Sequence, residues 1–236
     1  MVKSRKKVTL ITNIILTVAF SVVFAVSFYP KAMPIYGGKS LSAIYNGNKQ
    51  DVNVSLMFNV YENAEVVEKI VDLLDEKGVK ATFFVGGCWA DDNEKTLKKI
   101  VNSGHEIANH GYFHKDHAKL GYEDNKQEIY LTGVMVKALC GEEPKLFAPP
   151  SGSYCDKTLQ AAEDLDYKVI MWTKDTIDWR DSDLDTLYKR AIKNPSGGDL
   201  ILMHPKVHTL KVLPKVIDFY TDGGYKLVTV SENIFY

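Results

Sequence analysis

The chain has 236 residues, of which 45% are hydrophobic and 25% are charged, so it is long enough and apolar enough to bury one sizeable core. The formal net charge is -1 and basic residues are mixed with acidic ones, which argues against nucleic acid as a partner. Three cysteines, Cys88, Cys140 and Cys155, are too few for a disulfide scaffold; we interpret them as small buried side chains, and a single Cys–Cys bridge stays open.

Residues 1–28 differ in composition from the rest of the chain. Four basic residues precede a long apolar run: Lys3, Arg5, Lys6 and Lys7 come before Val8 to Phe28. About 20 apolar residues span a bilayer, so residues 8–28 predict an uncleaved, single-pass membrane anchor. A signal peptide cleaved near Ala25-Val26-Ser27, followed by secretion, is the alternative. The basic flank predicts an extracytoplasmic position for the following residues.

Residues 29–50 have the composition of a linker. They contain Pro30 and Pro34, a glycine pair at 37–38, and the turn-like Asn46-Gly47-Asn48. The globular domain is therefore predicted over residues 51–236.

Apolar, strand-like segments alternate with amphipathic helices through this domain. In chain order the predicted strands are VNVSLMF, ATFFVGG, HEIAN, KLFAPP, YKVIMW, DLILMH and YKLVTV. The predicted helices cover residues 64–77, 93–103, 123–139, 157–164, 184–193 and 210–221. This alternation predicts an α/β fold with a parallel sheet covered by helices, and the number of units favours a closed or nearly closed barrel. Its functional site is expected at the C-terminal ends of the strands.

The segment from Gly104 to His117 carries the strongest chemical signal. His110 and His114 lie four residues apart, a spacing that can aim two imidazoles at one metal ion. Neutral imidazole suits zinc, cobalt and nickel. Further polar residues follow other strands: Asn59 after VSLMF, Ser151 after LFAPP, Asp175 after VIMWT and His204 after LILM. The strand ends therefore predict one shared site.

The blocks MFNV, NHGYFH, FAPPSG, DTIDW and LILMH together resemble, in order and spacing, the five motifs of the NodB-like polysaccharide deacetylase family, over about residues 51 to 232. The resemblance implies a distorted (β/α) barrel and a metal-dependent hydrolase that cleaves amide bonds other than peptide bonds, removing acetyl groups from N-acetylated glycans such as peptidoglycan. In such enzymes a divalent metal activates water, a carboxylate accepts the proton and a histidine protonates the departing amine.

The resemblance also assigns roles to retained residues. His110 and His114 take the metal-ligand positions, and His204 takes the general-acid position. Asp175 and Asp178 belong to the catalytic DxxDW block. The implied substrate-binding residues are Pro150, Ser151, Gly152, Tyr154 and Trp179. The implied cofactor is a divalent metal, zinc first, with cobalt or nickel as alternatives.

Several family positions are changed. The first motif of the family has two adjacent aspartates, a base and a metal ligand, and here they are Asn59 and Val60. An arginine and an aromatic residue of the third motif correspond to Ala148 and Ser151. Glu62, on the loop leaving the same strand as Asn59, is our hypothesis for a replacement ligand or base. These changes predict low or absent activity.

Each retained residue also has a structural explanation. The histidines can hydrogen-bond to nearby backbone, His204 can cap a buried strand, and Asp175 and Asp178 can cap a turn. We interpret His117 as a solvated residue. Three hypotheses stay open: a deacetylase of weak or rearranged activity, an inactive glycan-binding barrel, and a partner-binding barrel without a ligand.

Overall fold

A computed structural model of the chain describes residues 16–18, 20, 21 and 41–235. Most of the predicted anchor at 8–28, its alternative cleavage site and residues 29–40 of the predicted linker lie outside this part. Within the described residues, no helix has the length and apolar character needed to cross a bilayer. The anchor and the cleavage site therefore stay predictions.

The chain divides into an N-terminal unit, Met1–Ser40, and a compact unit, Leu41–Tyr236. Residues 41–50 belong to the compact unit rather than to the predicted linker. Ile44 pairs in parallel with Ile170, and the Gly47 amide donates a 2.8 Å hydrogen bond to the Gly198 carbonyl. These backbone hydrogen bonds tie the segment to the sheet, so the domain begins before the predicted start at Asp51.

The described part contains one sheet of eight strands, and every pairing is parallel. The strands are β1 Asn53–Val60, β2 Thr82–Val85, β3 Glu106–Asn109, β4 Leu146–Phe147, β5 Lys168–Val169, β6 Lys174–Asp175, β7 Leu200–Met203 and β8 Lys226–Leu227. Their order is β5-β4-β3-β2-β1-β7-β6, with β8 beside the start of β1. The predicted parallel sheet is confirmed. The sheet does not close into a barrel, because no described ladder joins β5 to β6, and it curls into a half-barrel.

Helices cover the outside of this sheet and one end of its inside. They are α1 Ala64–Glu76, α2 Gly87–Asp92, α3 Glu94–Asn102, α4 Tyr122–Cys140, α5 Asp156–Asp164, α6 Leu184–Ala191, α7 Val207–Asp222 and α8 Val230–Phe235. The predicted helices are present. Helices α2 and α8 were not predicted, and only their first residues, Gly87 and Val230, fall in segments read as strands. At α8, Thr229 and Glu232 exchange hydrogen bonds as a capping box, which starts a helix at Val230.

The buried side chains of β1 alternate between two cores, as the two-residue period of a strand requires. Phe58 packs on the outer side with residues of α1 such as Ile70. Met57 packs inside the curl with Leu202 and with Val230 of α8. The backbone amides of Val230 and Ser231 donate to the side chains of Thr82 and Glu106, the first residues of β2 and β3, so α8 lies at the N-terminal ends of the strands and leaves their C-terminal ends open.

Candidate functional site

A cavity of about 330 Å³ lies at the C-terminal ends of the strands. Its walls are formed by Asn59, Tyr61, His110, His114, Ser151, Trp172, Asp175, Trp179, Leu202 and His204. These residues belong to β1, β6 and β7 or to segments that follow strands, and parallel strands bring such ends to one edge of a sheet. This geometry explains why residues far apart in sequence meet here.

The two histidines of the HxxxH segment lie side by side, with ring centroids 5.1 Å apart. His110 Nδ1 donates a 2.7 Å hydrogen bond to the carbonyl of Ala148, which leaves Nε2 as an acceptor. His114 has a left-handed backbone conformation, with φ of 55°. Burial lowers the pKa of His110 well below its usual value, and His114 lowers it further. Burial also lowers the pKa of His114, so both rings are neutral near pH 7.

The donor set does not fit a tightly held divalent metal. Tetrahedral and catalytic zinc sites use at least three protein ligands. Val60 is fully buried among apolar side chains and offers no donor, and Asn59 is a neutral amide. Among the described residues, no group of three His, Cys, Asp or Glu side chains is arranged to hold a metal ion. The implied metal therefore lacks its third ligand.

Glu62 does not supply that ligand in this structure. Its carboxylate forms an ion pair with the ammonium group of Lys206, on the loop after β7. The neighbouring Asn63 donates a 3.1 Å hydrogen bond to the carbonyl of Pro205 on the same loop. Glu62 thus links two loops and is not among the residues that line the cavity.

His204 is held by a buried carboxylate. Its Nδ1 donates to Asp178 Oδ1 at 2.7 Å, and its backbone amide donates to Asp178 Oδ2 at 2.7 Å. The hydroxyl of Thr209 adds a 2.6 Å hydrogen bond to Oδ2. Burial raises the pKa of Asp178, but the hydrogen bonds and charge of His204 outweigh it and hold the pKa below the usual value. This dyad fixes the ring so that Nε2 remains for a ligand.

Asp175 and Trp179 also line the cavity. Asp175 Oδ1 accepts a 2.7 Å hydrogen bond from the amide of Ile177, and burial raises the pKa of the carboxyl. Trp179 is 52% exposed, with the guanidinium of Arg180 5.7 Å from its ring. Trp179 is therefore available to a ligand at the rim.

The loop after β4 brings only some of its predicted residues to the cavity. Ser151, with φ of 56°, lines it, and Pro150 is buried beneath it. A side chain at Gly152, where φ is 65°, would come within 2.7 Å of the Trp172 ring. Tyr154 is absent from the cavity wall; its hydroxyl lies 2.8 Å from the hydroxyl of Tyr45.

Sequence reasoning missed three wall residues: Tyr61, Trp172 and Leu202. The Tyr61 ring centroid lies 4.1 Å from that of His114, and 6.3 and 6.5 Å from those of His110 and His204. The position of Tyr61 directly after β1 was a usable signal, but nothing in the sequence separates an aromatic ring facing a ligand from one in the core.

Comparisons with known proteins identify close similarities. A family model described as polysaccharide deacetylase matches residues 46–170. The Bacillus subtilis protein YlxY is 38% identical over 189 residues, which cover 80% of this chain and 59% of YlxY. The chain thus spans less than two thirds of YlxY. A peptidoglycan-N-acetylglucosamine deacetylase of Bacillus cereus is 31% identical over 193 residues, covering 80% of this chain and 70% of that protein.

Two solved structures are also similar to this chain in sequence and fold. A CE4-family pseudoenzyme from Bacillus anthracis matches with a TM-score of 0.80 and 34% identity, covering 83% of this chain and 69% of that one. A mutant of that pseudoenzyme, described as having restored enzymatic activity, matches with a TM-score of 0.80 and 32% identity over 83% of this chain and 72% of that one.

Proposed function

Because the chain belongs to the polysaccharide deacetylase family, whose members hydrolyse amide bonds of glycans, we propose that its domain binds N-acetylated cell-wall glycan without efficient hydrolysis. One observation carries the proposal: Asn59 and Val60 stand where the family resemblance places the catalytic base and a metal ligand. An amide cannot accept the proton of an attacking water, and a hydrocarbon side chain cannot bind a metal. The other lining residues that were predicted from the motifs are His110, His114, Ser151, Asp175, Trp179 and His204.

The size of the catalytic loss supports this conclusion. A positioned general base contributes about 10²–10⁴-fold to a rate. A divalent metal held by His110, His114 and a third ligand would activate water at neutral pH, and among the described residues that third ligand is absent. These two losses act on the same water molecule, so hydrolysis at the rate of an intact family member is not expected.

The walls of the cavity support retained binding. They combine the aromatic rings of Tyr61, Trp172 and Trp179 with polar side chains, and a sugar can contact both kinds of group through its apolar face and its hydroxyls. The B. cereus relative is named for its action on N-acetylglucosamine of peptidoglycan, and the B. anthracis relative is described as a pseudoenzyme. A glycan carrying N-acetylglucosamine is therefore the ligand we propose.

A second candidate function is slow hydrolysis through a rearranged site. The observation that favours it is the dyad of His204 and Asp178, which fixes the ring of a histidine that lines the cavity. In this case a weakly held zinc, cobalt or nickel ion on His110 and His114 would supply the activated water.

We also propose an extracytoplasmic position on the cell membrane, which rests on the basic flank and the apolar run of residues 8–28. Protease added to wall-free cells tests it. Digestion of a domain that sediments with membranes is the expected result. Release of the domain into the medium would support the cleaved signal, and a protected domain would contradict both arrangements.

The full chain in detergent is titrated with N-acetylglucosamine tetramer by calorimetry, and acetate is measured in the same samples with and without zinc. We expect saturable binding and no acetate above background. Acetate release that His110→Ala abolishes would instead establish the second candidate. Absence of binding would contradict the proposed function.

A further inference from the structure

Asn59 carries a buried side-chain amide in the wall of the cavity. Asn59 is 2% exposed, and its Oδ1 has no hydrogen-bond partner among the described residues. Buried amide oxygens are nearly always paired, because an unpaired acceptor gives up its hydrogen bond to water without replacement. Since Asn59 also lines the cavity, the missing partner is expected to come from a ligand.

We infer that Asn59 recognises the acetamido group of the glycan, so that the cavity selects sugars that still carry their acetyl group. The inference rests on the proposed function and extends it to a specificity-determining residue. An acetamido group has one N–H donor and one carbonyl acceptor, and an asparagine amide has both complementary groups. Either orientation of the Asn59 amide therefore finds a partner on an acetylated sugar.

The replacement of aspartate by asparagine changes which state of the sugar the site favours. A carboxylate at position 59 serves a reacting amide, because it accepts a proton in the transition state. A neutral amide makes its hydrogen bond to the unreacted acetamido group instead. Stabilising the ground state holds a ligand without accelerating its reaction. Asn59 thus suits a site that retains its ligand.

The cavity is less favourable for a deacetylated sugar than for an acetylated one. Its ammonium group loses water on entry and needs an anionic partner. Asp175 is the only carboxylate among the lining residues, and one of its oxygens already accepts the Ile177 amide. Apolar wall residues such as Leu202 and Trp172 suit an acetyl methyl group rather than a charge. The cavity is therefore expected to discriminate the acetylated sugar from the free amine.

The test compares three tetramers by calorimetry on the full chain: N-acetylglucosamine, glucosamine and glucose. The glucose tetramer separates the acetamido contribution from that of charge. The variant Asn59→Asp replaces the side-chain amide by a carboxylate of nearly the same shape. The matched control Asn102→Asp makes the same change at an exposed residue that ends α3, before the start of β3 and away from the strand ends that form the cavity.

For the unmodified chain we expect the acetylated tetramer to bind about tenfold more tightly than the glucose tetramer, the size of one good hydrogen bond. Asn59→Asp keeps an acceptor for the acetamido N–H but adds a negative charge, so it should strengthen binding of the glucosamine tetramer about tenfold and reduce the preference for the acetylated tetramer, while Asn102→Asp changes neither. Mass spectrometry of the recovered acetylated tetramer checks that it stays intact.

Two contrary results have different meanings. If the unmodified chain binds none of the tetramers, the proposed function fails, and this inference with it. If the acetylated tetramer binds but Asn59→Asp leaves all three affinities unchanged, the inference alone is overturned. Asn59→Ala, which removes the amide without adding charge, repeats the comparison should the aspartate variant not fold; it should weaken only the acetylated tetramer.

Discussion

Asp178 is a buried carboxylate whose hydrogen bonds fix the orientation of the His204 ring. The backbone amide and Nδ1 of His204 and the hydroxyl of Thr209 all donate to its two oxygens. Its backbone carbonyl also accepts a 2.7 Å hydrogen bond from His208 Nε2. The residue therefore stabilises the fold as well as the orientation of His204.

Replacing Asp178 by asparagine should lower the free energy of unfolding by about 2–3 kcal/mol, because an amide N–H would face a buried donor. Urea unfolding measures the change. Asp175→Asn is the matched control: its remaining carbonyl oxygen still accepts the Ile177 amide, and we expect a loss below about 1 kcal/mol. Equal losses in the two variants would contradict the role given to Asp178.

His105 makes the stability depend on pH. Burial, assisted by the charge of Lys80 and opposed by that of Asp75, lowers its pKa from 6.5 to about 4 in the folded chain. The unfolded chain then binds the proton more readily, so stability is complete above pH 6.5 and falls as the pH drops toward 4.

The variant His105→Phe keeps an aromatic ring beside Phe83 but cannot titrate. Between pH 7 and pH 4.5 its free energy of unfolding should fall by about 2 kcal/mol less than that of the unmodified chain. Urea titrations at both pH values measure the difference. Parallel pH profiles for the two chains would show that His105 is not the titrating group.

At the scale of elements, the sequence predicts what depends on local periodicity. The alternation of strand-like and helix-like segments predicted the parallel strands, and the 3.6-residue period of apolar residues predicted the long helices to within a few residues of their ends. Helix α8 was missed because a strand-like run, YKLVTV, overlaps a capping box that begins at Thr229. The hydrogen bonds between Thr229 and Glu232 start a helix at Val230, so the strand does not continue.

The short edge strand β6 depends on a buried ion pair. Lys174 and Asp199 have side chains only 7% and 6% exposed, and Thr173 and Ser196 donate further hydrogen bonds to Asp199. Lys174→Met should lower the free energy of unfolding by about 3 kcal/mol, because it leaves a buried carboxylate without its cation.

Adding Asp199→Asn to that variant should recover part of the lost stability, since the unpaired charge is then removed. Chemical unfolding of both single variants and the double variant provides the measurement. Losses that simply add would show that the two side chains are not coupled.

At the scale of the whole molecule, the features that the sequence did not predict are those that depend on contacts between residues far apart in the chain. The sequence indicated a nearly closed barrel, but two-residue strands at β5 and β6 leave the sheet open. His117, read as solvated, is fully buried, with Nδ1 2.6 Å from the Asn125 side-chain oxygen. The polar residues at the strand ends were predictable from motif order, whereas Tyr61 and the ion pair of Glu62 depend on contacts between distant loops.

Glycan binding without hydrolysis is tested by the rate of acetate release from N-acetylglucosamine tetramer, with added zinc, by the unmodified chain and by a variant carrying Asn59→Asp, Val60→Asp and Ala148→Arg. We predict no release above background by the unmodified chain and measurable turnover by the variant, because the base, the third ligand and the arginine are returned. Turnover by the unmodified chain equal to that of the variant would contradict the claim that this domain holds glycan without efficient hydrolysis.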